Sequence, residues 1–144
     1  MKIIYEIFII TINALSIPFR LFSKKIDLFH KGRKDTFKIL KKEINPNEKN
    51  IWFHVSSLGE FEIARPIIED LKIKVNNIKI LVTFFSPSGY ENVKNYKHAD
   101  SITYLPVDSS NNSKKFIKYV NPKVAVIIKN DLWPNYCLLY TSDA

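Results

Sequence analysis

Apolar and polar positions alternate along residues 51–128 in a way that predicts short buried strands separated by helices. Runs rich in apolar, β-branched and aromatic residues predict strands at 51–55, 78–84, 101–105 and 124–128. Apolar residues at helical spacing predict helices at 60–72, from the turn at 86–89 through Tyr96, and from about 109 to 120. Strands that alternate with helices indicate βαβ units. We therefore predict an α/β fold, a Rossmann-like parallel sheet with helices on both faces.

Residues 3–22 carry a different pattern, mostly apolar with the polar positions on one face. Their longest charge-free stretch, 7–19, has 13 residues, whereas a helix needs about 20 apolar residues to cross a bilayer. Polar residues recur at spacings of four, seven, three and four: Lys2, Glu6, Asn13, Ser16 and Arg20. This spacing predicts an amphipathic helix that lies in a membrane interface. Pro18 should bend its end by removing a hydrogen bond to Ala14.

Positive charge is concentrated next to this helix. The chain has a formal net charge of +8, and residues 20–42 hold nine Lys or Arg against two Asp, a local excess of seven. Such a local excess argues against a domain-wide nucleic-acid surface, and the aromatic residues within it, at 22, 29 and 37, have helical spacing. We expect the apolar helix and the basic segment to bind an anionic membrane surface, and no nucleic acid to be bound.

Two alternatives for the N-terminal segment stay open. A signal peptide also begins with positive charge and an apolar core, although no small-residue cleavage site follows and the positive charge downstream opposes export. A core helix followed by a solvated basic face has the same composition. On the membrane interpretation, the chain divides into a membrane-interface or anchor helix at 1–22, a basic juxtamembrane segment and loop at 23–50, and a Rossmann-like domain at 51–144.

Composition narrows the class of protein further. The 144 residues are 46% hydrophobic, enough for the core of one domain. Cys137 is the one cysteine, which excludes an internal disulfide and is typical of a reducing compartment. His30, His54 and His98 are scattered, so the sequence contains no metal-ligand spacing. We expect neither a metal nor a cofactor.

The turn at 56–60 joins a predicted strand to a predicted helix and carries the best candidate for chemistry. Ser56 or Ser57 can cap the helix. Gly59 lets a ligand approach the backbone closely, and Glu60 projects from the first helical turn beside that ligand. The alternative is structural, because a carboxylate in the first turn often only complements the helix dipole, by roughly 0.3 to 1 kcal/mol.

Three further turns should lie at the same edge of the sheet. They follow the other strands, at 85–89, 106–108 and 129–133, and the ligands of parallel sheets bind beyond the carboxyl ends of the strands. This convergence favours a functional role for Glu60. The sequence has no G-x-G-x-x-G or G-x-x-x-x-G-K-[ST] motif, so neither a dinucleotide site nor a P-loop is predicted.

The turns also belong to an ordered set of motifs. In chain order these are His54-Val55-Ser56-Ser57-Leu58-Gly59-Glu60, Arg65-Pro66-Ile67-Ile68-Glu69, Thr83-Phe84-Phe85-Ser86-Pro87-Ser88-Gly89-Tyr90-Glu91, Tyr104-Leu105-Pro106-Val107-Asp108 and Asp131-Leu132-Trp133-Pro134-Asn135. Their order and spacing resemble the N-terminal half of the 3-deoxy-D-manno-octulosonic acid (Kdo) transferase family. The apolar helix followed by Lys31-Gly32-Arg33-Lys34 resembles the membrane-proximal start of that family.

The resemblance implies an inverting GT-B glycosyltransferase, with two Rossmann-like domains and a cleft between them. It implies transfer of Kdo from CMP-Kdo to a lipid A precursor in lipopolysaccharide biosynthesis, at the cytoplasmic face of the bacterial inner membrane, without a bound metal. The glutamate of the family's H-x-x-S-x-G-E motif is the general base, so the resemblance carries this role to Glu60. A carboxylate suits the step, because it can take the proton of the attacking hydroxyl as the oxocarbenium-like centre forms.

Other site assignments follow from the same match. Many family members have two acidic residues before Leu-Trp-Pro, where this chain has Lys129 and Asp131. We expect both to contact the substrate or the transition state, Lys129 as a cation for the leaving phosphate or the Kdo carboxylate. Acceptor contacts are expected from small residues of the first two turns: Ser56, Ser57, Gly59, Ser86, Ser88 and Gly89. Trp133 can either pack at the sheet edge or stack on a sugar.

The match covers only the first of the family's two domains, and the second would hold CMP-Kdo. We therefore expect the chain to be a fragment that does not catalyse transfer alone, with residues 138–144 outside any family pattern. The alternative from another class is a non-catalytic, membrane-tethered α/β domain. In that alternative Glu60 is a helix cap, and the hydroxyls of the turns bind an anion.

Overall fold

The computed structural model describes residues 2–129 and 133–142 and shows a parallel sheet with helices on both faces. The elements are α1 (Lys2–Ser16), a 3-10 turn (Pro18–Leu21), α2 (Lys24–Glu43), β1 (Lys49–Val55), α3 (Leu58–Lys74), β2 (Ile78–Phe84), α4 (Pro87–Val93), β3 (Ser101–Tyr104), α5 (Ser110–Val120), β4 (Pro122–Ile127) and α6 (Pro134–Ser142). The four strands run parallel in the order β3-β2-β1-β4. The predicted fold class is therefore confirmed.

Two apolar cores lie on opposite faces of the sheet, and β1 contributes to both. Phe53 and Val55 pack with Phe61 and Ile68 of α3. Trp52 points the other way and packs with residues of α2, α5 and α6. Because successive side chains of a strand point to opposite faces, a strand covered on both sides reads as a continuous apolar run.

Element boundaries differ from the prediction by up to two residues at strand ends. β2 has the predicted bounds, whereas β1 begins at Lys49 and β4 at Pro122, each two residues early. Asn50 explains the first difference, because its Nδ2 donates to the carbonyls of Asn45 and Val120 at 2.8 and 2.7 Å. A polar residue that looked like part of a loop thus belongs to the sheet.

Helix α2 shows that the core extends further towards the N-terminus than residue 51. Leu40 and Ile44 join the core beside Trp52, and the Thr36 hydroxyl donates to the carbonyl of Tyr104 at 3.2 Å. A Cβ added to Gly32 would lie 2.0 Å from the Tyr104 ring. The segment predicted to be juxtamembrane is therefore packed on the sheet, with its lysines exposed.

Helix α1 turns its polar side towards the domain. The Glu6 carboxylate accepts from the backbone N–H of Ser110 at 2.8 and 3.1 Å, Ser16 bonds to His30 at 2.8 Å, and Arg20 pairs with Asp27. Most of the large apolar residues of this region are 49–89% exposed: Ile3, Ile4, Ile7, Phe8, Ile10, Ile12, Leu15, Ile17, Phe19, Leu21 and Phe22. Ile9 is half-buried. Residues 3–21 are long and apolar enough to cross a membrane, and none of this stretch is buried.

Candidate functional site

The turns after β1, β2 and β3 are joined by backbone hydrogen bonds at one edge of the sheet. Phe85 and Ser86 donate to the carbonyls of Val55 and Ser56 at 3.3 and 2.9 Å. Leu105 donates to the carbonyl of Phe84 at 2.9 Å. Two of the predicted turns, at 56–60 and 85–89, are therefore in direct contact.

Ser57 is the residue that caps α3. Its hydroxyl accepts from the backbone N–H of Glu60 at 3.5 Å, and the Glu60 carboxylate accepts from the backbone N–H of Ser56 at 2.6 Å. The reciprocal pattern resembles a capping box, which satisfies helix N–H groups that have no partner within the helix. Glu60 therefore does have the structural role that the sequence left open, at the start of α3. The capping bond uses Oε2, and the side chain remains partly exposed.

The two glycines of the site, Gly59 and Gly89, have different surroundings. A Cβ added to Gly59 would meet no atom of the described residues within 4 Å, so this position faces open space. A Cβ added to Gly89 would lie 2.6 Å from the Phe84 ring and 3.2 Å from the backbone nitrogen of Leu58. Gly59 can therefore admit a ligand to the helix N-terminus. Gly89 is buried, and its geometry favours packing between α4 and α3 over the acceptor contact expected from the sequence.

Ser86 and Ser88 stand at the start of α4 with their hydroxyl oxygens 2.7 Å apart. Ser86 holds the N-cap position but makes no side-chain capping bond, and Pro87 begins the helix. Ser88 is exposed. Two adjacent hydroxyls next to the Ser56 turn can donate to, or accept from, a polyhydroxylated ligand.

His54 links the motif at 54–60 to Trp133. His54 is fully buried, its Nδ1 lies 2.9 Å from the Thr83 hydroxyl, and its Nε2 accepts from the Trp133 indole at 3.2 Å. The Trp133 ring also stacks on Phe85 with centroids 4.9 Å apart. Trp133 therefore packs against the edge of the sheet. Sequence reasoning missed this role of His54, although its position in a strand with apolar neighbours indicated burial.

Lys129 lies two residues after the end of β4. The chain there runs beside β1, since Ile128 donates to the carbonyl of His54 at 3.0 Å. The Lys129 backbone has φ 61°, a left-handed conformation that few residues other than glycine adopt, and its side chain is exposed. Its position agrees with the predicted fourth turn. Asp131 lies outside the described residues.

Arg33, which the sequence placed in the basic segment, contacts this edge of the sheet, and the sequence did not predict that contact. Its Nη2 donates to the carbonyl of Phe85 at 2.9 Å, and its guanidinium lies 3.5 Å from the Phe29 ring centroid. Burial lowers the pKa of Arg33 to about 9, so the side chain stays cationic at pH 7. Arg33 thereby ties α2 to the turn that carries Ser86.

Asp108 connects α1 to the turn after β3. Its Oδ2 accepts from the Tyr5 hydroxyl at 2.7 Å and from the backbone N–H of Asn135 at 3.2 Å. Burial raises the pKa of this carboxyl, while the Tyr5 hydroxyl and the backbone N–H groups of Asn135 and Tyr136 act in the opposite direction. The nearby Glu6 adds to the increase.

Comparison with known proteins identifies relatives of this arrangement. Residues 31–142 match the family model described as 3-Deoxy-D-manno-octulosonic-acid transferase (kdotransferase). The expectation that residues 138–144 lie outside any family pattern is therefore wrong for 138–142. The chain is 35% identical over 92 residues to a 3-deoxy-D-manno-octulosonic acid transferase of Haemophilus influenzae, covering 62% of this chain and 21% of the relative. It is 33% identical over 86 residues to one of Aquifex aeolicus, covering 59% of this chain and 24% of the relative.

A third relative matches over a longer range. A 3-deoxy-D-manno-octulosonic acid transferase of Chlamydophila psittaci is 24% identical over 136 residues, which is 92% of this chain and 31% of the relative. The chain thus spans between about a fifth and a third of the length of these curated relatives.

Proposed function

The chain belongs to the Kdo transferase family, and from that premise we propose that it forms the acceptor side of an inverting glycosyltransferase. The enzyme would transfer Kdo from CMP-Kdo to a lipid A precursor, and the step as proposed uses no metal and no cofactor. One observation carries the proposal. The partly exposed Glu60 carboxylate stands at the N-terminus of α3 beside open space at Gly59, in the turn that touches Ser86.

Glu60 is the proposed general base. An acceptor hydroxyl attacks the anomeric carbon of Kdo while its proton passes to the Glu60 carboxylate. The new bond joins the acceptor oxygen to that carbon. The bond from the carbon to the CMP phosphate oxygen breaks, and the electron pair leaves with the phosphate. Attack and departure on opposite sides of the carbon invert its configuration, as in other single displacements at a sugar carbon.

The capping bond supports this role as well as the structural one. The Ser56 N–H holds the Glu60 carboxylate at the N-terminus of α3, next to the open space at Gly59. A carboxylate has about four lone-pair sites, so the one used by Ser56 leaves others for a substrate hydroxyl. The cap therefore fixes the direction of the carboxylate without occupying it fully.

The remaining site residues receive proposed roles in the same reaction. Ser56, Ser57, Ser86 and Ser88 supply hydroxyls for the acceptor sugar, and Gly59 supplies space for it. Lys129 and Asp131 contact the transition state, with the Lys129 ammonium beside the leaving phosphate or the Kdo carboxylate. The binding of CMP-Kdo itself is proposed to use the second domain that the family resemblance implies.

We place the enzyme at the cytoplasmic face of the bacterial inner membrane. The exposed apolar side of α1 and the exposed lysines of α2 present an apolar surface next to positive charge. These two features together suit an anionic bilayer surface, where each basic residue adds on the order of 1 kcal/mol of binding. The enzyme would then bind its lipid acceptor at the surface of the membrane.

A chimera tests the function. Residues 1–142 of this chain replace the matching N-terminal segment of the Haemophilus influenzae relative, and transfer of Kdo from CMP-Kdo to a lipid A precursor is measured. We expect activity in the chimera, and a loss of roughly 100-fold or more on Glu60→Gln, the range for a general base. Glu62→Gln is the matched control, because Glu62 is an exposed carboxylate of the same helix that pairs only with nearby Arg65 among the described residues.

The alternative function is a non-catalytic, membrane-tethered anion-binding domain. The hydrogen bond from Ser56 to Glu60 is consistent with it, since it gives the carboxylate a structural task even without a substrate. A folded chimera without transfer, or one in which Glu60→Gln and Glu62→Gln retain equal activity, would support this alternative.

A further inference from the structure

A cavity of about 440 Å³ lies between α1 and the carboxyl edge of the sheet. Helix α1 contributes Ile9 and Ile12, α2 contributes Phe29, and the turns after β2 and β3 contribute Phe85 and Val107. Its volume is typical of small-molecule sites in proteins, and these walls are apolar. Most of this space suits a hydrocarbon chain, and polar side chains line it only in part, at Asn13, Ser16, Lys25, Ser86 and Asp108.

The cavity lies beside the apolar outer surface of α1. Ile12 lines the cavity and is also 49% exposed on that surface. Lys25, at the start of α2, lines the cavity and is exposed as well. A lipid in a membrane that covers α1 therefore has an apolar route into the cavity, beside a cation that suits an anionic headgroup.

Asp108 gives the cavity a buried carboxylate, which is 2% exposed and lines the cavity. Its Oδ2 accepts from Tyr5 and Asn135, and the backbone N–H of Tyr136 also acts on the carboxyl. Its Oδ1 makes no hydrogen bond of ordinary geometry among the described residues. An acceptor left in this condition destabilises a protein, because it has lost water and gained no donor. A hydroxyl or amide N–H on a ligand inside the cavity would supply the donor.

The cavity also reaches the turn of the proposed general base. Ser86 lines the cavity, and its backbone N–H donates to the carbonyl of Ser56 at 2.9 Å. Ser56 in turn donates to Glu60 at 2.6 Å. The cavity therefore borders the turn at 85–89, which is hydrogen-bonded to the turn that carries Glu60.

We propose that this cavity binds one acyl chain of the lipid acceptor, and that a hydroxyl or amide of this chain donates to Oδ1 of Asp108. The proposal rests on the function proposed above, because it names the part of the acceptor that the site recognises. The acyl chain enters along α1, the sugar stays at the turn of Glu60, and Lys25 faces an anionic group of the lipid.

The first test measures binding without any transfer step. The probes are methyl 3-hydroxydecanoate and methyl 3-oxodecanoate, which carry a donor or only an acceptor at the same carbon, in equilibrium dialysis with the 144-residue chain. We expect the 3-hydroxy ester to bind about tenfold more tightly, as one hydrogen bond to a buried carboxyl predicts. Asp108→Asn, which adds an N–H donor, should remove or reverse the preference.

Two matched variants of α1 locate the bound chain. Ile9→Phe fills the cavity, and we expect it to weaken binding of both esters at least tenfold. Ile10→Phe adds the same ring on the outer surface, where Ile10 is 53% exposed, and should leave binding unchanged. Equal binding by the two variants, or a folded wild-type chain that does not prefer the hydroxyl, would overturn the proposal.

The chimera separates this proposal from the proposed function. In an active chimera, Ile9→Phe should raise KM for the acylated acceptor about tenfold, with kcat unchanged, and should not affect an acceptor stripped of its acyl chains. An active chimera whose KM does not respond contradicts the acyl-chain site and leaves the transferase function standing. A chimera that is inactive although the chain binds the esters as expected contradicts the function instead.

Discussion

Helices α1 and α3 are both amphipathic, yet they bury opposite sides. In α3, Phe61, Ala64 and Ile68 are fully buried against the sheet. In α1, Glu6 faces the domain while Ile7 and Phe8 are more than half exposed. The comparison teaches that apolar periodicity defines the two faces of a helix but not which face meets the protein.

The two helices also depend on different forces. Each large apolar side chain that α3 buries, Phe61 and Ile68, contributes about 1.5–3 kcal/mol relative to an exposed one. The contacts of α1 include hydrogen bonds through Tyr5, Glu6 and Ser16, each worth about 0.5–1.5 kcal/mol net. In water, α1 is therefore the helix that detaches more easily, and an apolar surface on its outer side would hold it in place.

The largest expected effect compares one phenylalanine from each helix. Phe61→Ala should lower the free energy of unfolding by about 3–5 kcal/mol, because it leaves a cavity in the core. Phe8→Ala should change that free energy by less than about 0.5 kcal/mol, since Phe8 is 59% exposed. Urea titration checks both values. The same Phe8→Ala variant should bind less well to vesicles containing phosphatidylglycerol, and unchanged vesicle binding would contradict the membrane role of α1.

The next effect concerns two glycines. Gly32→Ala should destabilise the protein by about 1–3 kcal/mol, because the new Cβ would overlap the Tyr104 ring against which α2 packs. Gly59→Ala should stabilise α3 by up to about 1 kcal/mol, since alanine is the better helix former and its Cβ meets open space. Thermal unfolding compares the two. A destabilised Gly59→Ala protein would show that this position is not open.

A third prediction concerns the ion pair that holds the end of α3. Burial by itself would raise the pKa of Asp100. The Lys72 ammonium, the Ile80 N–H and the Lys79 charge outweigh burial and together lower this pKa below its usual value. The ionised Asp100 therefore stabilises the folded protein at neutral pH, and this stabilisation is lost as the pH falls through the lowered pKa. Asp100→Asn should cost about 1–2 kcal/mol at pH 7. The difference from wild type should shrink at pH 3, and a difference that stays constant with pH would contradict this account.

The smallest expected effect tests the attachment of α1. Glu6→Gln removes the charge that caps α5 at Ser110, and should weaken that contact by about 0.5–1 kcal/mol. We expect amide hydrogen exchange in α1 to become two- to fivefold faster, while exchange in β1 and β2 stays unchanged. Faster exchange throughout the sheet would show instead that α1 and the core unfold together.

Much of the site could be predicted because its signals are local. The spacing of Ser57 and Glu60 predicts a cap at the start of α3, and the cap forms as expected. The turns at 56–60 and 85–89 meet because parallel strands bring their carboxyl ends to one edge. The packing of α2, the link from His54 to Trp133, and the position of Arg33 were not predictable, since each joins residues more than 50 positions apart.

The sequence by itself determined the faces of the helices, the order of strands and helices, and the turn that carries Glu60, because these depend on neighbours within a few residues. Only the tertiary structure decided that α1 keeps its apolar side outward, that Gly89 is a packing residue, and that Asp108 borders an apolar cavity. These outcomes depend on how segments that are far apart in the chain pack against one another. Such contacts cannot be read from a local sequence pattern.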